Sequence, residues 1–439
     1  MDHHTIMNWD FLIQNKESLL VSTDTRNLPA GCVFFALHGA NFDGNRFALQ
    51  ALEQGASLAV IDDPEVFAAY GSSPLASSPH RLSPDNRLLL VEDTLLALQD
   101  LARAWRRHLG LPIIGVTGTN GKTTTKELLA TVLSTKYNLH YTQGNLNNQI
   151  GVPLTLLSLT TAHELAIVEM GASHPGDIKE LVEIAEPNYG LITNVGRAHL
   201  EGFGSFEGVQ RTKQELYDYL VAHNGTIFRN TDNPYLAAML SDALQAAGDL
   251  QRSDLQDQGS DLQRSDLHYT TGVMPSGTHL IGAYNAENVS AALCVGEYFG
   301  VDREQGLAAI RRYVPTNNRS QAMQTANNQL IVDAYNANPT SMQAAISAFK
   351  GDTFILGAMR ELGDYTHLEH QNVVNMLAER KADLVYLVGE EYRLTTSPYL
   401  IFDTVDELRE YLEEHPLKGR NILLKGSRST KMETLLPVL

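Results

Sequence analysis

The sequence predicts an α/β protein of three domains: a central P-loop domain built on a doubly wound, mostly parallel sheet, a carboxyl-terminal Rossmann-like α/β domain, and a smaller amino-terminal α/β domain. Three observations lead there. A chain of 439 residues exceeds what one hydrophobic core sustains, so it divides into several domains. Apolar strand patterns alternate with helical ones, the rhythm of a sheet covered by helices. Residues 115–126 read Gly-Val-Thr-Gly-Thr-Asn-Gly-Lys-Thr-Thr-Thr-Lys directly after the apolar run at 111–114, which is a strand, a glycine-rich turn and a helix start in succession.

In the first part, strands are expected at 32–37, 58–61 and 88–91, separated by helical patterns such as 46–54. A helix over 94–109 follows, and Gly110 with Pro112 then marks a boundary. The central part carries strands at 113–117, 165–170 and 189–193, with helices at 122–134, 176–185 and 209–220. Within it, Asp249-Leu-Gln-Arg-Ser-Asp-Leu255 recurs as Asp261-Leu-Gln-Arg-Ser-Asp-Leu267. Two copies are too few for a solenoid, so the segment reads as a duplicated polar surface insertion. From Tyr313 the rhythm resumes, with strands at 330–333, 353–356, 384–388 and 421–424 and helices at 340–349 and 370–380. The expected domains are therefore 1–110, 111–312 and 313–439.

Composition narrows the function. A net charge of −18, from 33 basic and 51 acidic side chains, argues against a sequence-independent grip on nucleic acid, so local basic residues must meet any phosphates. Cys32 and Cys294, the two cysteines, support neither a disulfide framework nor a cysteine zinc site. Residues 1–16 lack a basic-then-apolar signal pattern, and no apolar run is long enough to span a bilayer. A cytoplasmic protein without membrane insertion is expected.

The glycine-rich turn points to a nucleoside triphosphate. Gly118, Thr119, Asn120, Gly121 and Thr124 would cradle phosphates, Lys122 would reach the β/γ-phosphates, and the Thr123 hydroxyl would hold Mg2+. One departure stands out: Val116 occupies the position where the usual phosphate-loop pattern has glycine. Downstream, Glu169 sits at the carboxyl end of an apolar strand, as a metal partner or as a solvated strand-end glutamate. His199, in Asn194-Val-Gly-Arg-Ala-His199, is a candidate ligand of a second divalent ion or a hydrogen-bonded loop histidine. Lys213, with Glu215 close by, reads in isolation as a solvated lysine.

Taken together, the loop 115–124, Glu169-Met-Gly171, Asn194-Val-Gly-Arg-Ala-His199 and Lys213 resemble the Mur ligase family, ATP-dependent amide-forming enzymes of peptidoglycan precursor synthesis. The resemblance implies three domains, an acyl-phosphate intermediate, and carbamylation of Lys213. It implies that Thr123 and Glu169 fix one Mg2+ and that His199 and carbamylated Lys213 fix another. Asn285 and Asn288 match the family's adenine-contacting segment, although such a pair otherwise reads as helix capping. Arg319 and Asp333 match residues that meet the phosphates and ribose of ATP.

The ends of the chain point to a branch of that family. Asp24-Thr-Arg26, Phe35-Ala-Leu-His-Gly39 and Asp43-Gly-Asn45 resemble a uridine-nucleotide domain, in which Thr25 and Arg26 would contact the diphosphate while Asp24 organises the turn. Asp333-Ala-Tyr-Asn336-Ala-Asn338-Pro339, Leu356-Gly-Ala-Met-Arg-Glu361-Leu-Gly363 and Lys425-Gly-Ser-Arg428 resemble the branch that joins D-alanyl-D-alanine to a UDP-N-acetylmuramoyl tripeptide. There Asn336 and Asn338 would meet the dipeptide, although their string otherwise reads as a turn, and Lys425 and Arg428 would meet a phosphate or the dipeptide's carboxylate or else form a plain basic turn. An Asp-Asn-Pro-Arg motif is absent, since Asp232-Asn-Pro-Tyr235 lacks the arginine. Three departures remain: Asn45 where the family often has histidine, Asn318 before Arg319 where glycine is usual, and Ala358 where an acid is common. The expectation is a monomer acting on small molecules; a Mur-type ligase with another amino-acid substrate and a non-catalytic nucleotide-gated binding protein stay as alternatives.

Overall fold

A computed structural model of the protein describes residues 7–70, 81–83, 85–254, 266–315 and 319–439. The chain packs as two compact units, one of residues 1–115, 137–170 and 179–189, the other of 116–136, 171–178 and 190–439.

The first unit holds a five-stranded sheet in the order Val21–Ser22, Val33–Phe35, Leu58–Ile61, Leu88–Leu90, Arg81–Leu82, parallel except at the last pairing. Its core is Cys32, Phe34, Ala48, Phe67 and Leu88. The helix Thr94–Leu109 starts where the Asp93 side chain accepts the Leu96 N–H and stops at Gly110, whose φ of 64° is the left-handed conformation that closes a helix at least cost to glycine. Trp105 lies fully buried on it and donates from Nε1 to the Leu159 carbonyl at 3.0 Å. Strands Leu139–Tyr141 and Leu165–Glu169 pair in parallel in the same unit.

In the second unit, helix Lys122–Leu133 packs against helix Asn285–Tyr298 so closely that a Cβ on Gly296 would stand 2.5 Å from Val132 Cγ1. Strands Thr226–Asn230 and Asp266–Tyr269 pair in parallel. The carboxyl-terminal stretch forms a six-stranded sheet ordered Gln321–Gln324, Gln329–Asp333, Asn421–Lys425, Thr353–Gly357, Leu384–Val388, Leu400–Phe402, with only the first pairing antiparallel. Side chains alternate along each strand between two apolar layers. Phe354, Leu356, Val385, Leu387 and Leu423 enter one; Ile355, Tyr386, Val388, Ile422 and Leu424 enter the other. Both faces are thus covered, as a doubly wound sheet requires.

The duplicated segment carries regular structure where it is described. The helix Pro234–Asp254 runs through most of its first copy, and Asp266 and Leu267 of its second copy belong to strand Asp266–Tyr269. Residues 255–265 lie outside the described residues.

Candidate active site

Backbone geometry explains the unusual phosphate loop. Val116 is fully buried inside strand Ile113–Thr117, so a glycine there has no conformational task. The turn is made by Gly118 and Gly121, at φ of 140° and 77°. A Cβ on Gly118 would sit 2.0 Å from Thr193 Oγ1, and one on Gly121 would sit 2.6 Å from Asn288 Oδ1. Thr119 N–H donates to the Asn194 carbonyl at 2.9 Å, and Asn120 N–H to Asn194 Oδ1 at 3.0 Å. Thr193 Oγ1 and Asn194 Nδ2 both donate to the Asn120 carbonyl, at 2.6 and 3.1 Å. Helix Lys122–Leu133 begins behind Gly121, which offers no side-chain acceptor to its first N–H groups, so the helix's positive end faces the loop. Lys122 Nζ folds back on the loop, donating to the Gly118 and Thr119 carbonyls at 2.7 and 3.1 Å. Thr123 is buried on the first turn, and Thr124 follows it.

The two asparagines do not cap their helix. Tyr284 is the cap and contributes no side-chain bond. Asn285 Nδ2 donates to the Ile281 carbonyl at 2.7 Å and Asn288 Nδ2 to Asn285 Oδ1 at 2.9 Å, while Asn288 Oδ1 accepts from Thr125 Oγ1 at 3.0 Å. Asn288 therefore ties the phosphate-loop helix to its neighbour.

Lys213 is not solvated. It is 2% exposed on helix Phe206–Ala222, and its Nζ lies 5.6 Å from the centre of the Phe203 ring. Burial, aided by the charge of Lys122 and opposed by Asp177 and Glu215, holds its ammonium pKa well below the usual lysine value, so the amine is biased toward its neutral, nucleophilic form. His199 caps helix Leu200–Phe203 from a left-handed conformation, φ 50°, and its Nδ1 meets Glu361 Oε2. Burial lowers its pKa, Glu361 opposes this, and the charges of Lys122 and Lys213 add to the lowering. Lys122 thus bears on both His199 and Lys213, and Lys213 on His199.

In the first unit, Glu169 is 1% exposed at the end of strand Leu165–Glu169. Its N–H donates to Thr142 Oγ1 at 3.0 Å, and its Oε1 accepts from Asn147 Nδ2 at 2.9 Å, which overturns the solvated alternative. Thr25 and Arg26 lie on a short 3-10 turn, Thr25–Asn27, capped by Asp24. The exposed Arg26 guanidinium grips Asp24 through Nε and Nη2, at 2.9 and 2.6 Å to its nearest carboxylate oxygens, and holds that carboxyl down to about 2.

The carboxyl-terminal residues gather at strand ends. Asp333 and Lys425 are register partners on adjacent strands, and Lys425 Nζ pairs with Asp333 Oδ2 at 2.6 Å and donates to the Asn336 carbonyl at 3.1 Å. Lys425 is 1% exposed, and these contacts neutralise Asp333 and steady the turn. Asn338 is also engaged. Its Oδ1 accepts Ser341 N–H at 2.8 Å in a capping box, and its Nδ2 donates to Asn120 Oδ1 at 2.8 Å, reaching the phosphate loop. The guanidinium groups of Arg319 and Arg428 lie over the Tyr335 ring, 3.9 and 5.4 Å from its centre. A cavity of about 210 Å3 lies among His199, Tyr335, Asn336, Asn338, Arg360, Glu361, Ser427 and Arg428.

Among the described residues, no group of three or more His, Cys, Asp and Glu side chains could hold a metal ion by itself. The donors expected of the site are the Thr123 hydroxyl, the Glu169 carboxylate, the His199 imidazole and a carbamate on Lys213. That sparse, oxygen-rich set fits Mg2+, which takes one or two carboxylates and completes its shell with substrate phosphates and water. Among the described residues, no helix is long and apolar enough to cross a membrane.

Three family models match the chain in succession: the Mur ligase family catalytic domain over residues 19–106, the Mur ligase middle domain over 116–296, and the Mur ligase glutamate ligase domain over 318–428. The UDP-N-acetylmuramoyl-tripeptide–D-alanyl-D-alanine ligase of Bacillus subtilis is 34% identical over 439 residues, covering 95% of this chain and 92% of that protein. The chain belongs to the Mur ligase family. The Escherichia coli ligase of the same name is 32% identical to this Mur ligase, over 95% of this chain and 93% of its own. Among solved structures, MurF from Acinetobacter baumannii superposes with a TM-score of 0.77 at 28% identity, over 95% and 92% of the two chains. MurF ligase from Thermotoga maritima in complex with ADP gives 0.77 at 26%, over 96% and 97%.

Two departures of this Mur ligase find a structural account. Asn45 is buried, with Nδ2 donating to Asp43 at 3.1 Å and Asp62 at 2.8 Å, so it serves an internal network. Ala358 is fully buried beneath Ser427, whose Oγ donates to the Ala358 carbonyl at 2.7 Å. Asn318 lies outside the described residues. Asn147 in the first unit, beside Glu169, and Tyr335 and Glu361 in the second, beside Arg319 and His199, had not been anticipated as functional. For Glu361 the one available signal was its place in the Met359-Arg-Glu361-Leu-Gly363 run.

Proposed function

We propose that this chain is an ATP-dependent ligase that joins D-alanyl-D-alanine to a UDP-N-acetylmuramoyl tripeptide in peptidoglycan precursor synthesis. The observation that carries the proposal is the phosphate loop turned by Gly118 and Gly121, with Lys122 folded onto it at a helix N-terminus, in a chain similar along 95% of its length to a ligase of that name. In this reading residues 1–110 receive the UDP-sugar peptide through Thr25 and Arg26. Residues 111–312 hold ATP through Gly118, Thr119, Asn120, Gly121, Lys122, Thr123 and Thr124, with Asn285 and Asn288 behind the loop. Residues 313–439 meet ATP through Arg319 and Asp333 and the dipeptide through Asn336 and Arg428, with Lys425 and Asn338 holding those groups in place.

A carboxylate oxygen of the tripeptide bonds to the γ-phosphorus as the bond to the β-γ bridging oxygen breaks and ADP leaves. The dipeptide's amine adds to the acyl carbon and loses a proton; the tetrahedral intermediate then expels phosphate and leaves the amide. Lys122 and the loop N–H groups hold the phosphates where charge builds up, and positioning with charge neutralisation supplies most of the catalysis in phosphoryl transfer. Mg2+, held by Thr123 and Glu169 and by His199 with carbamylated Lys213, would neutralise that charge. Carbamylation is chemically sensible at Lys213, because carbon dioxide reacts with the neutral amine and the product is an anion. We place the protein in the cytoplasm, as a monomer, where ATP and uridine nucleotides are at hand.

The test is ADP formation with the UDP-muramoyl tripeptide present. Turnover should depend on D-alanyl-D-alanine; a dipeptide without effect, beside a free amino acid that supports turnover, would sink the proposal.

A further inference from the structure

The second unit contains a seam where residues 194–203 meet residues 336–369. Arg197 N–H donates to Thr340 Oγ1 at 2.9 Å, and the Arg197 guanidinium pairs with the buried Glu369 at 2.8 Å. A Cβ on Gly196 would stand 2.6 Å from Thr340 Oγ1, so the approach there is close. Glu201 N–H donates to the Glu361 carbonyl at 3.2 Å, and the Glu361 carboxylate meets Nδ1 of His199.

Two features make that last contact more than a surface ion pair. His199 and Glu361 both hold left-handed backbones, φ 50° and 60°, a conformation that a non-glycine residue keeps only when its surroundings impose it. Glu361 also has no competing cation beside it in sequence, because the neighbouring Arg360 guanidinium is engaged by Glu391. An ionised carboxylate accepts and never donates, so the proton of a neutral His199 ring must reside on Nδ1. The Nε2 lone pair is then left available.

We propose that Glu361 is a positioning residue for His199: it fixes the Nδ1–H tautomer and turns Nε2 outward as a ligand atom, and it does so only when the loop 359–363 lies on residues 199–203. The proposal rests on the reading of His199 as a metal-holding residue. A carboxylate behind a ligating imidazole commonly changes metal affinity by about 10–100-fold when removed. It would also couple docking of the carboxyl-terminal part to completion of the site.

The test uses the full-length protein with 15N-labelled histidine, free of metal and nucleotide, and His199→Ala to assign the signal. Wild type should show His199 protonated at Nδ1 and bare at Nε2. Glu361→Gln, whose amide oxygen still accepts, should retain that tautomer, and Glu361→Ala should lose it. In turnover assays, Glu361→Ala should raise the Mg2+ concentration for half-maximal rate about tenfold with the KM for the UDP-muramoyl tripeptide little changed, and Glu361→Gln should largely restore it. A wild-type His199 protonated at Nε2, or an alanine variant matching wild type in both readouts, overturns the proposal. Mg2+ dependence untouched by His199→Ala overturns the metal reading of His199 itself, which the tautomer signal distinguishes from failure of the pairing.

Discussion

At the scale of single residues, the site depends on conformations that side chains would forbid. A methyl group on Gly118 would overlap Thr193 Oγ1 at 2.0 Å and would also need φ 140°, a region L-residues avoid. Gly118→Ala should therefore weaken ATP binding by about tenfold or more, since strain of this kind costs about 1–3 kcal/mol; titration calorimetry with an ATP analogue measures it, and unaltered affinity would contradict the loop geometry. Lys213 poses the opposite problem, a cation where water is excluded. Its depressed pKa means that the unfolded chain binds the proton more readily, so a neutral or carbamylated amine relieves a cost that the ammonium imposes on the fold. Lys213→Ala should lower kcat by on the order of a hundredfold, with partial recovery in short-chain carboxylic acids, because an anion is what the site loses. Bicarbonate should raise the apparent unfolding temperature of wild type and leave the alanine variant unmoved, as a modification confined to the folded state must.

At the scale of elements, the helix Pro339–Ala348 shows how a cap serves the site. Asn338 closes its capping box with Ser341 while its amide reaches Asn120, so one side chain both starts a helix and steadies the phosphate loop. Asn338→Ala should cost about 1–2 kcal/mol of stability, the usual value of such a cap, and weaken ATP binding. Asn338→Asp should keep the cap and lose only the donor to Asn120, so urea denaturation and nucleotide titration together separate the two roles. The same comparison shows what patterning conveys. Elements with dense apolar periodicity reach the same bounds in the sequence and in the structure: Leu58–Ile61, Thr94–Leu109, Ile113–Thr117 and Leu384–Val388. Short edge strands such as Val21–Ser22 and Leu400–Phe402 escape because two or three residues carry no period, and the helix Pro234–Asp254 escapes behind its polar repeat. The phosphate loop was legible because its glycines and lysine are bound to one chemistry. Burial of Lys213 was not, since its helix is rich in charges, and Glu361 was not, since only the folded seam brings it to His199.

At the scale of the whole molecule, each unit contains histidines withdrawn from water, half-buried in the first and fully buried in the second, and they set its acid limit. In the first unit the rings of His140 and His163 lie 5.1 Å apart; burial lowers both pKa values, with the charge of His163 adding to the effect on His140, which falls to about 4. In the second unit His370 is fully buried, donating from Nδ1 to the Thr366 carbonyl at 2.7 Å and accepting the Met359 N–H at Nε2 at 3.1 Å, so protonation would expel the N–H that anchors the loop 359–363. Burial lowers its pKa as well. All three bind a proton more readily in the unfolded chain, where histidine titrates near 6.5, than in the folded one. Between that value and the lowered ones the unfolded state carries the extra protons, so the stability these groups confer is present above about pH 6.5 and falls as the pH drops toward 4. Urea midpoints should hardly change from pH 8 to 7 and should decline from pH 6.5 to 5, a span in which ordinary carboxylates stay mostly ionised. His140→Phe should flatten that decline for the first unit, because a ring without a titrating nitrogen has no proton to gain. An identical slope in wild type and variant would show that the half-buried pair does not set the acid limit.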